Sequence, residues 1–381
     1  MKRIKTGVML ILPLLVLAGC GVLNTSAHNA GDIFIAAEWN VQALFDGFEE
    51  GNEYREYLET AGWTKEKYAA RITAISQAIP QMIREGQVPG TAVLGTDVPG
   101  LIGFIEIENA AILENLAEVL SKHGYIATAF ASLPGSSLGI GFLSRFPFTD
   151  VRTHSITVGK DTAPRPVLEV RLEPGGKPLV FMLCHWKSKL GGDEATENLR
   201  RSSARVVRRR LLELNETDPG MPVIVMGDLN ENHDEFYRRG TLSALLPDDP
   251  LAAEIAVRDG AKGFRDAAIS PDDVLVLCGE KPPVSRYFLD SSGRVIPAFY
   301  SPWYGDLGEG SYYYKGDWET IDHFLLSEGL FDGMGWEYED CRALNYAPFT
   351  ASDGAPAVYV PRSGRGLSDH LPLVLYLRDL D

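Results

Sequence analysis

The residues best suited to chemistry fall into four short polar motifs, each set just after, or just inside, an apolar run. They are Trp39-Asn40-Val41-Gln42, Glu106 within Phe104-Ile105-Glu106-Ile107-Glu108-Asn109, Gly227-Asp228-Leu229-Asn230, and Ser368-Asp369-His370. Buried strands read as near-continuous apolar runs, and their ends deliver side chains to one rim of a sheet. Residues far apart in the chain can therefore converge. Converging carboxylates and amides supply the hard oxygen ligands that Mg²⁺ takes, and an Asp–His pair beside them suits proton transfer. The combination points to metal-assisted cleavage of a phosphate ester. Singly, each motif is also ordinary turn chemistry, since Asp and Asn accept backbone hydrogen bonds and Gly supplies positive φ. Their order and their shared strand context carry the inference.

The elements that must position these motifs are legible as apolar segments. Strand-like runs occur at Ile33 to Ala36, Leu101 to Phe104, Gly139 to Leu143, Leu179 to Leu183, Val223 to Met226, Ile321 to Leu326 and Leu373 to Leu377. Helical patterns cover Tyr68 to Arg84, Ala110 to Lys122 and Thr196 to Glu213. Alternation of the two predicts a layered α/β domain. The segment from Asp248 to Tyr300 is rich in Pro, Gly and Asp and separates two of the motifs. It reads as an insertion within one domain, because the Ser368-Asp369-His370 motif beyond it is still needed to complete the site.

In these motifs and their order the chain resembles the endonuclease/exonuclease/phosphatase superfamily, the deoxyribonuclease-I-like group, from about Ile33 to Leu377. Further stretches resemble bacterial endonuclease members of it: Asn40-Val41-Gln42-Ala43-Leu44-Phe45-Asp46, Trp63-Thr64 with Lys67-Tyr68, and Leu143-Ser144-Arg145-Phe146-Pro147. The pattern continues in His185-Trp186-Lys187-Ser188-Lys189 and in Ser311-Tyr312-Tyr313-Tyr314 running through Trp318 to Ile321-Asp322-His323. One departure is Ile105, where many relatives carry Gln before the metal-binding Glu.

The resemblance implies a four-layer sandwich of two packed mixed or antiparallel sheets flanked by helices. It implies Glu106 as the principal ligand of Mg²⁺, or of Mn²⁺ or Ca²⁺ in its place, with Asn40 and Asp369 completing the shell. His370 would pair with Asp322 and act on the attacking water or the phosphate. Asp228 would activate water or protonate the leaving group, Asn230 would donate to the phosphate, and His185 would contact phosphate or act as an acid. Arg200 is expected to support the site, Arg145 to brace a turn and Trp318 to fill the core near Asp322. The leading functional reading is a phosphodiesterase, an endo- or exonuclease, acting on nucleic acid. The alternatives are a phosphatase or sphingomyelinase-like phospholipase acting on a sugar phosphate or lipid headgroup, and an inactive surface binding protein.

Composition sets further bounds. With 45% hydrophobic and 23% charged residues, the 381-residue chain has the make-up of a soluble globular protein. Residues 1–19 read as a signal peptide: Lys2, Arg3 and Lys5 precede an apolar stretch from Val8 to Ala18 that is too short to span a bilayer comfortably. Leu17-Ala18-Gly19-Cys20 is similar to the bacterial lipobox, which implies cleavage before a lipidated Cys20, a tether at 20–31 and the catalytic domain at 32–381. The expected place is the bacterial cell envelope, anchored to the membrane and facing periplasm or exterior, as a monomer without an obligate protein partner.

Loss of the leader's three cations takes the formal charge from −16 to −19. So acidic a surface argues against tight, extended binding to nucleic acid, which draws on Lys and Arg. The densest basic element is Arg200-Arg201 through Arg205, Arg208, Arg209 and Arg210, an amphipathic helix with Val206, Val207, Leu211 and Leu212 on its buried side. Cys184 sits in an apolar strand and reads as a buried small residue; Cys278 and Cys341 are left open as a disulfide.

Overall fold

The protein was described as a computed structural model covering residues 31–83, 97–158, 161–162, 165–254, 273–279, 298–305 and 307–380. The segments read as a signal peptide and tether, with Cys20, lie outside the described residues up to residue 30, as does the last residue of the helical pattern ending at Arg84.

Two large sheets form the body. The first has six strands in the spatial order Gly335–Ala343, Leu373–Leu380, Ile33–Leu44, Leu101–Ile107, Gly139–Ser144 and Ala127–Ala131. The second has eight: Leu245–Pro247, Leu275–Cys278, Ala298–Tyr300, Asp322–Leu326, Val223–Asp228, Leu179–His185, Val167–Leu172 and Phe148–His154. Both are mixed. Ile33–Leu44 runs antiparallel to Leu373–Leu380 and parallel to Leu101–Ile107, while Val223–Asp228 runs antiparallel to Asp322–Leu326 and parallel to Leu179–His185. Each apolar run read from the sequence is one of these strands.

Alternation along the first strand shows how the layers form. Ile33, Ile35, Ala37, Trp39 and Val41 face outward into a core shared with Ile72 and Ile75 of the helix Lys65–Ala78 and with Ile112, Leu113 and Leu116 of the helix Ala110–Val119. Phe34 and Ala36 face the other way, into a core between the sheets with Phe142, Phe181, Leu183, Met226, Phe324 and Leu375. This is the period of two that a strand imposes. A third core packs Val206, Val207 and Leu211 of the helix Asp193–Thr217 onto the second sheet. Helix, sheet, sheet and helix make four layers. The sheets approach so closely at Gly103 that a Cβ there would lie 2.8 Å from Leu183 and 2.9 Å from Met226.

The segment read as an insertion does more than interrupt the domain. Its described parts include Leu275–Cys278 and Ala298–Tyr300, two strands that, with Leu245–Pro247 just before the segment, extend one edge of the second sheet. Cys184 is a buried free thiol, as expected, and Cys341 is also a buried free thiol. Among the described residues no helix is long and apolar enough to cross a membrane.

Candidate active site

The directions of the central strands bring the motifs to one rim. The C-terminal ends of Ile33–Leu44, Leu101–Ile107, Leu179–His185 and Val223–Asp228 meet the beginnings of Asp322–Leu326 and Leu373–Leu380 there. In the second sheet, His185, Asp228 and Asp322 are register partners across three adjacent strands and form a single row. Gly227, just before Asp228, has φ 119°, and a Cβ would fall 2.2 Å from the Cys184 carbonyl oxygen. Only glycine allows the two strands to close there.

Asn40 and Glu106 reach the row from the facing sheet. Asn40 Nδ2 donates to Asp228 Oδ2 at 3.1 Å, and Asn40 Oδ1 accepts from the Gln42 backbone N–H at 3.0 Å. Glu106 sits at a register shift in its strand with φ 66°, so its side chain turns out of the alternation; Ile105 stays in the inter-sheet core. A left-handed conformation at a non-glycine residue costs about 1–3 kcal/mol and persists only where surrounding contacts fix it. The fixing contact is Ala43 N–H to Glu106 Oε2 at 2.9 Å, from a chain whose Gln42 and Ala43 also have positive φ. Arg71, a buried residue of the helix Lys65–Ala78, donates to the Val41 and Gln42 carbonyls and stacks on the Tyr359 ring at 3.6 Å. It pins the turn that holds Glu106.

His370 and Asp322 meet as expected, with Nδ1 2.8 Å from Oδ2, and Ser311 Oγ donates to the same oxygen at 2.6 Å. Burial disfavours the His370 cation, but the Asp322 carboxylate outweighs it and holds the imidazole charged well above its ordinary range. Ser368 Oγ donates to the Asn40 carbonyl at 2.6 Å and accepts from the His370 N–H at 3.1 Å, tying the two ends of the chain together. Asp369 is half-exposed at the rim, 3.9 Å from His370 Nε2.

His185 lies with Nε2 3.6 Å from Asp228 Oδ2 and 3.7 Å from Glu106 Oε1. Burial, then the charges of Arg165, His370 and Lys187, depress its pKa well below the usual value, so the ring is neutral. Burial and the neighbouring Asp322 carboxylate push Asp228 the other way, to about 7. Asp228 Oδ1 accepts from the Asn230 N–H at 2.9 Å, and Asn230 Nδ2 donates to the Trp186 carbonyl at 3.1 Å. One of the two Asn230 amide hydrogens is thus already engaged.

Several residues of the site gave no signal in the motifs. Glu38 is fully buried beneath the row, its two carboxylate oxygens without hydrogen-bond partners, and burial followed by the Asp322 charge raises its pKa well above normal. Its sequence trace is one acid inside the apolar run from Ile33 to Trp39. Arg165, also outside the motifs, donates from Nη1 to the Trp186 carbonyl at 2.9 Å; Tyr312, inside the Ser311-Tyr312-Tyr313-Tyr314 stretch but without an expected role, stacks its ring on His370 with centroids 4.5 Å apart.

The expected supporting residues divide. Arg200 is fully buried, bonds Asp193, Glu197 and Glu231, and donates to the Lys187 carbonyl at 3.2 Å, bracing the segment after His185. The rest of its helix is not a free basic face: Arg205 pairs with Asp273, Arg210 with Glu169, and Arg201 and Arg208 are buried. Lys189 pairs with Glu235 at 2.7 Å, and Lys187 Nζ bonds the Ser188 and Leu190 carbonyls. Arg145 Nε donates to the His123 carbonyl at 2.8 Å, bracing a turn as expected. Trp318 is only partly buried, against the helix-side core and the Tyr313 ring.

The chemistry of the donor set fits a divalent cation. Glu106, Asp228, Asp322 and Asp369 gather at one rim, and Asp322 Oδ1 is buried with no hydrogen-bond partner. Acceptors outnumber donors, the imbalance a hard cation relieves. The tightest acid–imidazole group among the described residues is Asp228, Asp322 and His370, with ligand atoms all within 4.8 Å. That group contains none of the three expected ligands, and His370 and Asp322 within it are already committed to each other.

Fold and rim together define a two-sheet α/β sandwich with an acid–imidazole site of the phosphoesterase type. A model of the endonuclease/exonuclease/phosphatase family matches residues 35–252, more than half of the sequence, and the chain belongs to that family. Its members are hydrolases of phosphoester bonds and use divalent metals. Among solved structures, the chain is similar to ANGEL2, a 2′,3′-cyclic phosphatase in complex with adenosine-2′,3′-vanadate, at 12% identity and TM-score 0.56, covering 92% of this chain and 97% of that one. It is also similar to truncated Caenorhabditis elegans TDP2 (12% identity, 91% and 97% coverage, TM-score 0.49) and to the human Nocturnin catalytic domain with bound sulfate (15%, 92% and 97%, 0.47). At these identities the likeness is one of fold. No curated protein sequence matches the chain.

Proposed function

We propose that this chain is a divalent-metal-dependent phosphodiesterase that cleaves nucleic acid. The observation that carries the reading is the row His185, Asp228 and Asp322, faced by Asn40 and Glu106 and closed by a charged His370. Glu106, with Asn40 and Asp369, would hold the metal, Mg²⁺ first. A bound dication would polarise a phosphoryl oxygen and offset the charge that develops during displacement.

The chain's own groups supply the rest. Asp228, raised to about 7 and held through both oxygens by Asn40 and Asn230, takes the proton of the attacking water. His370 commits Nδ1 to Asp322 and leaves Nε2–H to bond the phosphoryl oxygens as charge builds. A neutral His185 is a weak proton donor at neutral pH, which favours phosphate contact over acid catalysis for it. The second amide hydrogen of Asn230 completes the set of donors. Arg165 and Lys187, close enough to His185 to depress its pKa, place cations on that flank of the rim and support a polyanionic substrate over a neutral one.

The test is hydrolysis of plasmid DNA, RNA, sphingomyelin and phosphoinositides in parallel, with Mg²⁺, Mn²⁺, Ca²⁺ or a chelator. Cleavage of nucleic acid that the chelator abolishes is expected; turnover of the lipids alone would refute the nuclease reading. We further propose attachment to the cell envelope through a lipidated Cys20. A labelled fatty acid should enter the wild type and not Cys20→Ala, and equal labelling of both would end that idea.

A further inference from the structure

A short two-stranded ribbon stands beside the catalytic imidazole and plays no part in the mechanism above. Its strands are Tyr312–Tyr314 and Asp317–Glu319, joined by Lys315 and Gly316, both at positive φ, as a tight two-residue hairpin turn requires. Tyr312 and Tyr314 are two apart and so share one face. Tyr312 lies over His370 (4.5 Å between centroids, 29° between planes), and the Tyr314 ring is nearly parallel to that of Tyr312 (6.0 Å, 13°). On the other face Tyr313 packs against Trp318 at 5.1 Å, and Trp318 reaches the helix-side core. The ribbon is therefore anchored, and an aromatic surface runs outward from the catalytic histidine to Tyr314, which is 48% exposed. Tyr312 has a use within the fold, since it holds the imidazole. Tyr314 meets the exposed Lys315 ammonium, 4.9 Å from its ring centroid, a contact that still leaves nearly half of the residue in solvent.

The surroundings of that ring specify what it suits. Glu319 and Asp317 are the cross-strand partners of Tyr312 and Tyr314 and flank the same face. Carboxylates beside a flat π-surface accept hydrogen bonds from the amino edge of a stacked heterocycle, and they repel a bare phosphate. Of the cations near the site, Arg165 and Lys187 lie toward His185, while Lys315, in the turn of the ribbon, has its Nζ 4.9 Å from the centroid of the Tyr314 ring. The rim thus offers positive charge on its His185 flank and a stacking surface with acceptors on its His370 flank. An acyl chain or a sugar phosphate uses only one of these; a nucleotide uses both. In a duplex the base faces are already stacked, so the base that fits is unpaired.

We infer that the ribbon is a base-stacking platform: Tyr314 takes the face of an unpaired nucleobase next to the scissile phosphate, and Asp317 and Glu319 accept from its amino edge. This rests on the nuclease reading of the same site and narrows it to single-stranded or locally unpaired nucleic acid.

The experiment compares kcat/KM for a single-stranded oligonucleotide with that for a strand of equal length built from abasic sugars, in Mg²⁺. The wild type should prefer the strand with bases. Base–aromatic stacking is strong enough that Tyr314→Ala should lower that preference by about five- to 150-fold, while Tyr314→Phe keeps it. Tyr314→Leu, which retains bulk but not the flat ring, should behave like the alanine variant. An unchanged preference in Tyr314→Ala with an unchanged Tm, or equal cleavage of the two strands by the wild type, would overturn the platform alone. A wild type that hydrolyses lipid or sugar phosphates and neither strand overturns the nuclease reading, and the platform with it.

Discussion

Within the site, the two histidines are held in opposite states by what surrounds them. His370 keeps its proton because Asp322 lies 2.8 Å away, while His185, 3% exposed and flanked by Arg165, loses the charged form. If His370 and Asp322 act as one unit, their losses will not add. His370→Ala and Asp322→Ala should each lower kcat by about 10²–10⁴-fold, the usual contribution of a positioned acid–base group. The double variant should be little worse than the poorer single one, with KM changed much less than kcat. Melting curves come first, since removing one partner of a buried ion pair costs about 3–5 kcal/mol and could unfold the rim. Additive losses in folded variants would mean that the two side chains work independently.

At the scale of elements, helices and strands hold the site through side chains that reach across layers. Arg71 leaves its helix to pin the Val41–Gln42 carbonyls, and Arg200 leaves another to hold the Lys187 carbonyl. A third clamp lies away from the rim and can be tested without touching catalysis. Glu169, on the strand Val167–Leu172, accepts Arg210 Nε at 2.7 Å from the helix Asp193–Thr217 and meets His154 Nε2 at 2.7 Å. Burial alone would raise its pKa, but the bonds from His154 and Arg210 prevail and lower it to about 2. A carboxylate with a depressed folded pKa stabilises fully above its unfolded value, near 4.3, and that stability is lost as pH falls toward 2. The contribution at neutral pH is on the order of 3 kcal/mol. Glu169→Gln should lower Tm at pH 7, and the gap from wild type should close between about pH 5 and pH 2. Thermal melts across that range check it; a gap independent of pH would show that the charge is not what the clamp uses.

At the scale of the whole molecule, the basic helix Asp193–Thr217 commits most of its arginines to acidic partners or to burial. The arginine-rich helix, the densest basic element of the sequence, is tied to Asp193, Glu197, Glu231, Glu169 and Asp273, and the formal charge of the chain is −16. Each phosphate neutralised by a side chain contributes about −0.7 to the log–log salt slope for a single strand. With Arg165 and Lys187 as the contacting cations, that slope should be no steeper than about −2. Anisotropy titrations of a labelled strand on the His370→Ala protein, over about 50 to 200 mM salt, measure it. A slope beyond about −4 would mean that the strand contacts more cations than these two.

Much of this architecture is readable without coordinates, because the signals are local. Apolar runs mark strands, and Asn, Asp, Glu and His at their ends mark the rim; the pattern implies a layered α/β domain, and the two-sheet fold comes from the family resemblance that the order of Asn40, Glu106, Asp228, Asp322 and His370 carries. What the local pattern cannot hold is which distant group answers each side chain. Glu106 points into the site only because a bulge and the Ala43 N–H turn it there, and nothing in the helical pattern marks Arg71, which packing sets beneath that turn. Glu38 reads as a stray acid in a strand, and only the closing of the second sheet over it makes it a buried carboxylic acid below Asp228 and Asp322. The basic helix faced the same ambiguity, and its acidic partners come from as far as 68 positions away. The sequence by itself determined which segments are buried strands and which residues stand at their ends, since period and turn chemistry act within a few residues. The tertiary structure alone decided charge state, orientation and the placing of the tyrosine ribbon against His370, since those depend on contacts the chain makes only after it has folded back on itself.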